Sequence, residues 1–478
     1  MKTTPFFILL LLAGCAVGPN YQNKPPATPA QWSEPLEGGV TGKPLVAREW
    51  WKGFHDPALE TLISQAVASN YDLRISAALV RQARESLGMA RAGYGPTVDA
   101  AGSYSRDRAS RNGFVSNPAV NPNYNLYQSG FDASWEIDVF GGVRRAVEAA
   151  GAGVEAAEFG REDALVSLLA EVAVNYASVR GAQLRLTIAK NNIQSQKDSV
   201  AITQAKLDAG MASSLDVAQA SALEAATEAA IPPLETTLKT AIHHLSVLLG
   251  QPPGALLEQL SRESAIPPAP PEIPAGVPAD ILRRRPDIRQ AERQLAAATA
   301  NIGVATADLF PKFSLTGAPG LESVNPGTLF NGASSIWTLG PTVQWRVFDS
   351  GKIRSNIRLQ RALQEQVLAA YEKAVLTAMQ DVEDALVAYA KEKGHFIALQ
   401  KSVDENKRAY DLAGELYSKG LTDFLNVVNA QSALYQAQDQ LAQSRLTVTT
   451  DVIALYKALG GGWEEPSPAK PGAKVGGR

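Results

Sequence analysis

The sequence predicts a mixed α/β membrane protein. Amphipathic strand pairs suit the wall of a transmembrane β-barrel, very long helices carry heptad seams, and the chain is internally duplicated. Three observations lead there: alternating strand pairs, two proline-free helical stretches far longer than a domain helix, and a set of residues that recurs in order at a spacing near 210.

The chain has 478 residues, 45 Lys and Arg against 48 Asp and Glu, and a net charge of −3. It has no long basic run, so nucleic acid is excluded as a partner on electrostatic grounds. Hydrophobic residues make up 45% and aromatics only 7%, a balance that suits long helices side by side. Lys2 and the apolar run Phe6 to Leu12 read as a signal peptide over residues 1–14, because the run is too short to span a bilayer. It ends in Leu12-Ala13-Gly14-Cys15, which resembles a bacterial lipobox. Cys15 would then carry a diacylglyceryl group and an N-acyl chain, each buried methylene contributing about 0.8 kcal/mol. It is the one cysteine, so an intrachain disulfide is impossible. Ala16, rather than Asp, after the cysteine points to the outer membrane. A lipidated extended segment follows over residues 15–45, Pro-rich from Pro19 to Pro35.

The duplication organises the rest. At an offset of 215, Asp72-Leu73-Arg74 matches Asp287-Ile288-Arg289, Gly88 matches Gly303 and Pro96 matches Pro311; at 210, Trp135 matches Trp345, Gly210 matches Gly420, Leu215 matches Leu425 and Gly250 matches Gly460. The first repeat covers residues 46–250 and the second 280–463. A Pro-rich linker, 251–279, separates them, and a tail of 464–478 follows. A period this long describes a duplication rather than a solenoid.

Each repeat holds a strand hairpin, near 97–138 and 312–348. Tyr127, Ser129, Phe131, Ala133, Trp135 and Ile137 alternate with polar residues, and so do Trp337, Leu339, Pro341, Val343 and Trp345. Period two means one apolar and one wet face. The terminal tryptophans and the export signal favour a lipid-facing wall over a soluble sheet. Four strands cannot close such a barrel, and open edges are forbidden in lipid, so the chain must oligomerise; three copies would supply twelve strands.

Helix hairpins follow at 142–250 and 352–460. About 67 residues without proline precede each of Gly210 and Gly420, which at 1.5 Å per residue is about 100 Å of helix. A stripe stepping by three and four runs from Leu165 to Leu207, and its copy from Val375 to Tyr417, as in a heptad seam. Pro232-Pro233 should break the first return helix; the second has no proline there.

Together these residues resemble the TolC-like outer membrane factors, in particular the lipoprotein branch that serves resistance-nodulation-division (RND) efflux pumps. The resemblance covers nearly the whole mature chain. It rests on the lipobox, on Trp50-Trp51-Lys52-Gly53-Phe54-His55-Asp56-Pro57, on Trp135-Glu136-Ile137-Asp138-Val139-Phe140-Gly141, on Arg283-Arg284-Arg285-Pro286-Asp287-Ile288-Arg289, on Ala307-Asp308-Leu309-Phe310-Pro311 and on Leu455-Tyr456-Lys457-Ala458-Leu459-Gly460. It implies a homotrimer with a twelve-stranded outer-membrane barrel and a periplasmic tunnel of twelve helices. It also implies a periplasmic adaptor and an inner-membrane RND pump as partners, and passive export of drugs or other small toxic compounds. By resemblance the adaptor docks at the hairpin tips, at Gly210, Ser214, Leu215, Gly420, Leu421 and Thr422. The closed gate would involve Asp216, Asp423, Leu425, Asn426 and Asn429. Asn426 and Asn429 stand where many relatives have Asp, so an apolar and hydrogen-bonded closure is expected rather than a cation-binding one.

Other chemistry has little support. His243-His244 point in different directions on a helix and make a poor metal pair. With 4 Met and 1 Cys, soft-metal relays have no basis. No cofactor or catalytic constellation is expected, and the chain is read as no enzyme. Arg283 to Arg285 read as a structural cluster before a helix starting at Pro286. The alternatives are a duct for type I protein secretion, a duct for metal cations, or, in a different class, a periplasmic scaffold without a pore.

Overall fold

A computed structural model describes residues 16–24, 26–43, 49–110, 112 and 122–463. The elements run in chain order β1 (Val40–Thr41), α1 (Pro57–Ser69), α2 (Tyr71–Ala92), β2 (Thr97–Arg108), β3 (Asn123–Ile137), α3 (Gly142–Asp208), α4 (Ser214–Glu228), α5 (Ile231–Leu248), α6 (Leu257–Leu260), β4 (Ile273–Pro274), α7 (Pro278–Arg284), α8 (Pro286–Ala307), β5 (Lys312–Ser323), β6 (Ser335–Gln344), α9 (Lys352–Ser418) and α10 (Phe424–Ala458). The described residues form two compact units. The first takes the chain up to Lys24, Leu79–Glu158 and Gln290–Glu372; the second takes Pro25–Ala78, Phe159–Arg289 and the chain from Lys373 on.

The first unit holds a four-stranded antiparallel sheet in the order β2-β3-β5-β6. The two hairpins of the duplication are zipped together by β3 against β5, with Trp135 opposite Leu315 and Ile137 opposite Phe313. Antiparallel partners share a face. One face therefore collects Val98, Ala100 and Tyr104; Tyr127, Phe131, Ala133 and Trp135; Phe313 and Leu315; and Trp337, Leu339 and Val343. The other collects Asp99, Ser103, Gln128, Asp132, Glu322, Thr316 and Thr338, with Gln128 Nε2 donating to Glu322 Oε2 at 2.8 Å. Among the described residues nothing covers the apolar face: Val98, Phe131, Leu339 and Val343 are exposed. Among the described residues neither outer edge, β2 or β6, has a second partner strand.

The terminal tryptophans repeat their geometry as well as their sequence. Trp135 Nε1 donates to Tyr94 O at 2.9 Å, and Trp345 Nε1 donates to Leu309 O at 3.1 Å. An indole whose ring lies on an apolar face and whose N–H is held at the sheet's end suits a membrane interface. Asp138 accepts from the Val143 and Arg144 amides to cap α3, and Asp349 accepts from Gly351 and Ile353 to cap α9.

Helices α3 and α9 are each 67 residues long, as the proline-free spans require. The predicted stripes face inward, and none of their residues is exposed. The return helices differ as expected. Ile231-Pro232-Pro233 restarts the helix, separating α4 from α5, whereas α10 runs unbroken for 35 residues. Proline at the first turns lacks an N–H that would be unsatisfied there anyway.

In the second unit Trp50 stacks on Tyr456 with centroids 5.3 Å apart. Tyr176, fully buried, donates to Asp56 at 2.8 Å, and Asp56 also caps α1. Arg285 makes a bidentate pair with Asp287, bonds Asp381 at 2.9 Å and donates to Ala458 O. That confirms a structural role for this arginine of the cluster.

The two Pro-rich stretches are paired and packed, and the second also holds the short helix α6. Val40–Thr41 pairs in parallel with Ile273–Pro274. Ile266, Ile273 and Ala275 are buried, Trp32 Nε1 donates to Gly276 O, and the Ser33 and Glu34 amides donate to Glu383. Proline fixes the backbone in an extended form at low entropy, and apolar neighbours then let it pack.

Asp451 of α10 is half-buried, and Glu392 of α9, which accepts from Ser444, repels its charge. Burial first, and Glu392 second, push its carboxyl from 3.8 up to about 6. The folded chain thus holds this proton more tightly than the unfolded one. The associated stability is present below about pH 4 and is lost as pH rises through about 6. Asp451→Asn should raise the melting temperature at pH 7 and leave it nearly unchanged at pH 4; equal shifts at both would contradict this origin.

Candidate functional site at the helix tips

Helix α3 ends in a Schellman turn. The Met211 amide donates to Lys206 O at 2.7 Å and the Gly210 amide to Leu207 O at 2.9 Å. Helix α9 ends alike, with Leu421 donating to Leu416 O and Gly420 to Tyr417 O. Both glycines have φ of +72°, a left-handed conformation that a side chain would strain. The two turns are superimposable in logic because the duplication preserved their glycines.

Beyond the turns the copies diverge. Ser213 caps α4 in a reciprocal capping box, its Oγ accepting from the Asp216 amide while its own amide donates to Asp216 Oδ2 at 2.8 Å. In the second tip Asp423 is the N-cap residue but makes no side-chain cap bond. Asn426, the counterpart of Asp216, donates instead to Thr422 Oγ1 at 2.7 Å. Asp216 therefore already has a structural task, its carboxylate accepting from the Ser213 amide.

The tips are pinned by an apolar cluster of Ala220, Phe424 and Val427, with Val200, Tyr410, Ala413, Tyr417 and Val428 around it. Tyr417 and Phe424 rings lie 5.1 Å apart, and Lys206 Nζ stands 3.8 Å above the Tyr417 ring. Burial, reinforced by Asp216, raises the Tyr417 hydroxyl above its ordinary value. A second cluster, Leu186, Ala189 and Leu234, lies farther along the hairpin, and Arg185 makes a two-pronged pair with Asp439 at 2.7 and 3.0 Å.

Four of the five predicted gate residues fall on one element, while the fifth, Asp216, lies in the first turn of α4. Asp423, Leu425, Asn426 and Asn429 lie at or in the first turns of α10 and are all exposed in the single chain. Gly210, Ser214 and Leu215 form the first tip and Gly420, Leu421 and Thr422 the second. Met211, Leu215, Leu421 and Leu425 are large exposed apolar residues at repeat-equivalent positions. Phe424, Val427 and Lys206 were not named as site residues from sequence, and Tyr417 was named only as the last residue of the heptad seam. Their signal was available: Phe424 and Val427 are three apart and share a face, while Leu425 is one step off it. Cys15 lies outside the described residues. His243 and His244 join no group that could hold a metal among the described residues. No helix of the described residues is long and apolar enough to cross a membrane.

A duplicated four-stranded sheet with one apolar face, in a chain with two helix hairpins of this length, has the make-up of the TolC-like outer-membrane channels. The chain belongs to the outer membrane efflux protein family, whose model matches residues 62–251 and 277–461. It is 34% identical over 467 residues to the solvent efflux pump outer membrane protein SrpC of Pseudomonas putida, spanning 97% of this chain and 98% of that one. It is 33% identical over 458 residues to the pyoverdine export outer membrane protein OpmQ of Pseudomonas aeruginosa, covering 95% of each. Among solved structures it resembles the outer-membrane channel OprN (TM-score 0.88, 36% identity, 94% of this chain and 100% of that one). It also resembles the Campylobacter jejuni channel CmeC (TM-score 0.87, 25% identity, 94% and 95%). The protein is an outer-membrane efflux channel component, and its relatives are transport proteins rather than enzymes.

Proposed function

We propose that three copies close a twelve-stranded barrel in the outer membrane and a tunnel of helices in the periplasm. This duct passively conducts drugs or other small toxic compounds delivered by an inner-membrane RND pump through a periplasmic adaptor. The observation that carries the reading is the sheet: a continuous apolar face with two edges, β2 and β6, unpaired among the described residues. Such edges are untenable in lipid unless another copy pairs with them. The relatives named for solvent, toluene and pyoverdine export support a broad cargo range for a wide duct.

In this reading Cys15 carries the lipid. The exposed apolar residues beside Gly210, Ser214, Gly420 and Thr422 receive adaptor hairpins, with Leu215 and Leu421 as the apolar contacts. Leu425, Asn426 and Asn429, flanked by Asp423 and Asp216, close the periplasmic end by apolar contact and hydrogen bonds. Mass measurement of the lipidated protein in detergent, followed by planar-bilayer recording, tests this. A trimer giving small, stable currents that grow in Asn426→Ala/Asn429→Ala is expected. A monomer without conductance would overturn the duct.

A further inference from the structure

The short segment directly after the expected lipid-bearing residue is gripped by the first unit in a way that the duplication does not explain. Arg145, on the first turn of α3, has a side chain only 4% exposed. Its Nε donates to Val17 O at 3.1 Å, and its Nη2 reaches Gly18 O at 3.4 Å and Asn20 Oδ1 at 2.6 Å; Nη1 pairs with Glu148 at 2.7 Å. The Val17 amide donates to Phe140 O at 3.1 Å. Tyr21 donates to Glu292 of α8 at 2.9 Å, and Arg293 lies over its ring. Gly18, at φ +90°, passes so close to α8 that a Cβ there would stand 2.5 Å from Gly303 Cα. A Cβ on Gly303 would in turn meet the Arg145 side chain at 2.7 Å.

Residues 16–21 thus bridge α3, from the first repeat, to α8, from the second. The receptor exists once. The repeat-equivalents of Arg145, Glu292 and Arg293 are Ser355, Ala77 and Ala78, and the equivalent of Gly303, Gly88, has open space around it. A buried guanidinium left without acceptors is strongly unfavourable, and three of the four acceptors of Arg145 belong to this segment.

We propose that residues 16–21 are a docked strap, that Arg145 is its receptor, and that the strap welds the two repeats beside the Phe140–Phe310 stack, whose centroids are 4.5 Å apart. The occupant is this chain's own N-terminal segment. A group on the residue before Ala16 starts within one peptide step, about 3.8 Å between Cα atoms, of a strap that cannot wander. The strap therefore sets the depth at which acyl chains enter the bilayer, and this last part rests on the reading of Cys15 as lipidated.

Hydrogen exchange on the full-length protein in detergent, with intact-mass analysis of its acyl groups, tests both parts. Losing two or three hydrogen bonds should speed exchange in residues 16–24 by about tenfold in Arg145→Ala and in Gly18→Ala. The second variant alters only the strap. Ser355→Ala, at the equivalent place in the other repeat, should leave it unchanged. Wild-type protection in both strap variants would overturn the docking, and so would an acylated protein whose strap exchanges like free peptide. A protected strap on a chain without acyl groups would uphold the docking and overturn the depth-setting role.

Discussion

Phe131→Arg and Leu339→Arg should each abolish insertion of the protein into outer-membrane-like bilayers, with no channels in planar-bilayer recordings and no flotation with vesicles. Both residues are exposed and lie on the apolar face of the sheet, opposite Ala100 and Gly317 respectively. An arginine on a lipid face costs about 2–4 kcal/mol near the bilayer midplane, and a trimer would incur that cost three times. Thr338→Arg lies one residue away on the other face, opposite Ala318. It should insert normally and shift ion selectivity toward anions, since a face that lines water tolerates charge. If Phe131→Arg inserted at the wild-type yield, the apolar face would not be the lipid face.

Phe424→Ala should separate holding the tip from closing it. The ring is buried in the cluster with Ala220 and Val427 and tilted against Tyr417. Removing a buried Phe costs about 3–5 kcal/mol through lost transfer energy and the cavity left behind. The expected outcome is rapid exchange in residues 206–220 and 417–428, with large, unsteady currents. Leu425 is 48% exposed in the single chain, so Leu425→Ala should leave the tip's exchange nearly untouched. Its effect should be a steady rise in conductance, because it removes only the constriction proposed for the assembly. Equal exchange in the two variants would show that Phe424 does not anchor the tip.

Much of this molecule was legible before any coordinates, because its strongest signals are local and periodic. Period two in Tyr127 to Ile137 and Trp337 to Trp345 placed the strands and sorted their faces. The absence of proline before Gly210 and Gly420 set the helix lengths, and the glycines marked where they end. Asp216 was legible only by resemblance, and the structure adds that it closes a capping box with Ser213. Asn426 lacks that partner and turns to Thr422, a difference invisible while the two were compared only as aligned letters.

The sequence by itself determined the duplication, the element types and their order, and the apolar sheet face. The duplication shows as matching residues at a fixed offset, and the elements and the sheet face depend on residues a few positions apart, where backbone geometry dictates spacing. The tertiary structure alone decided that the proline stretches pair through Val40–Thr41 and Ile273–Pro274, that Arg285 serves Asp287, Asp381 and Ala458, that Phe424 rather than Leu425 anchors the tip, and that Arg145 holds residues 17–20. Most of these contacts join side chains far apart in the chain. Burial and hydrogen-bond satisfaction select such partners only once the helices are packed, and no periodicity announces them.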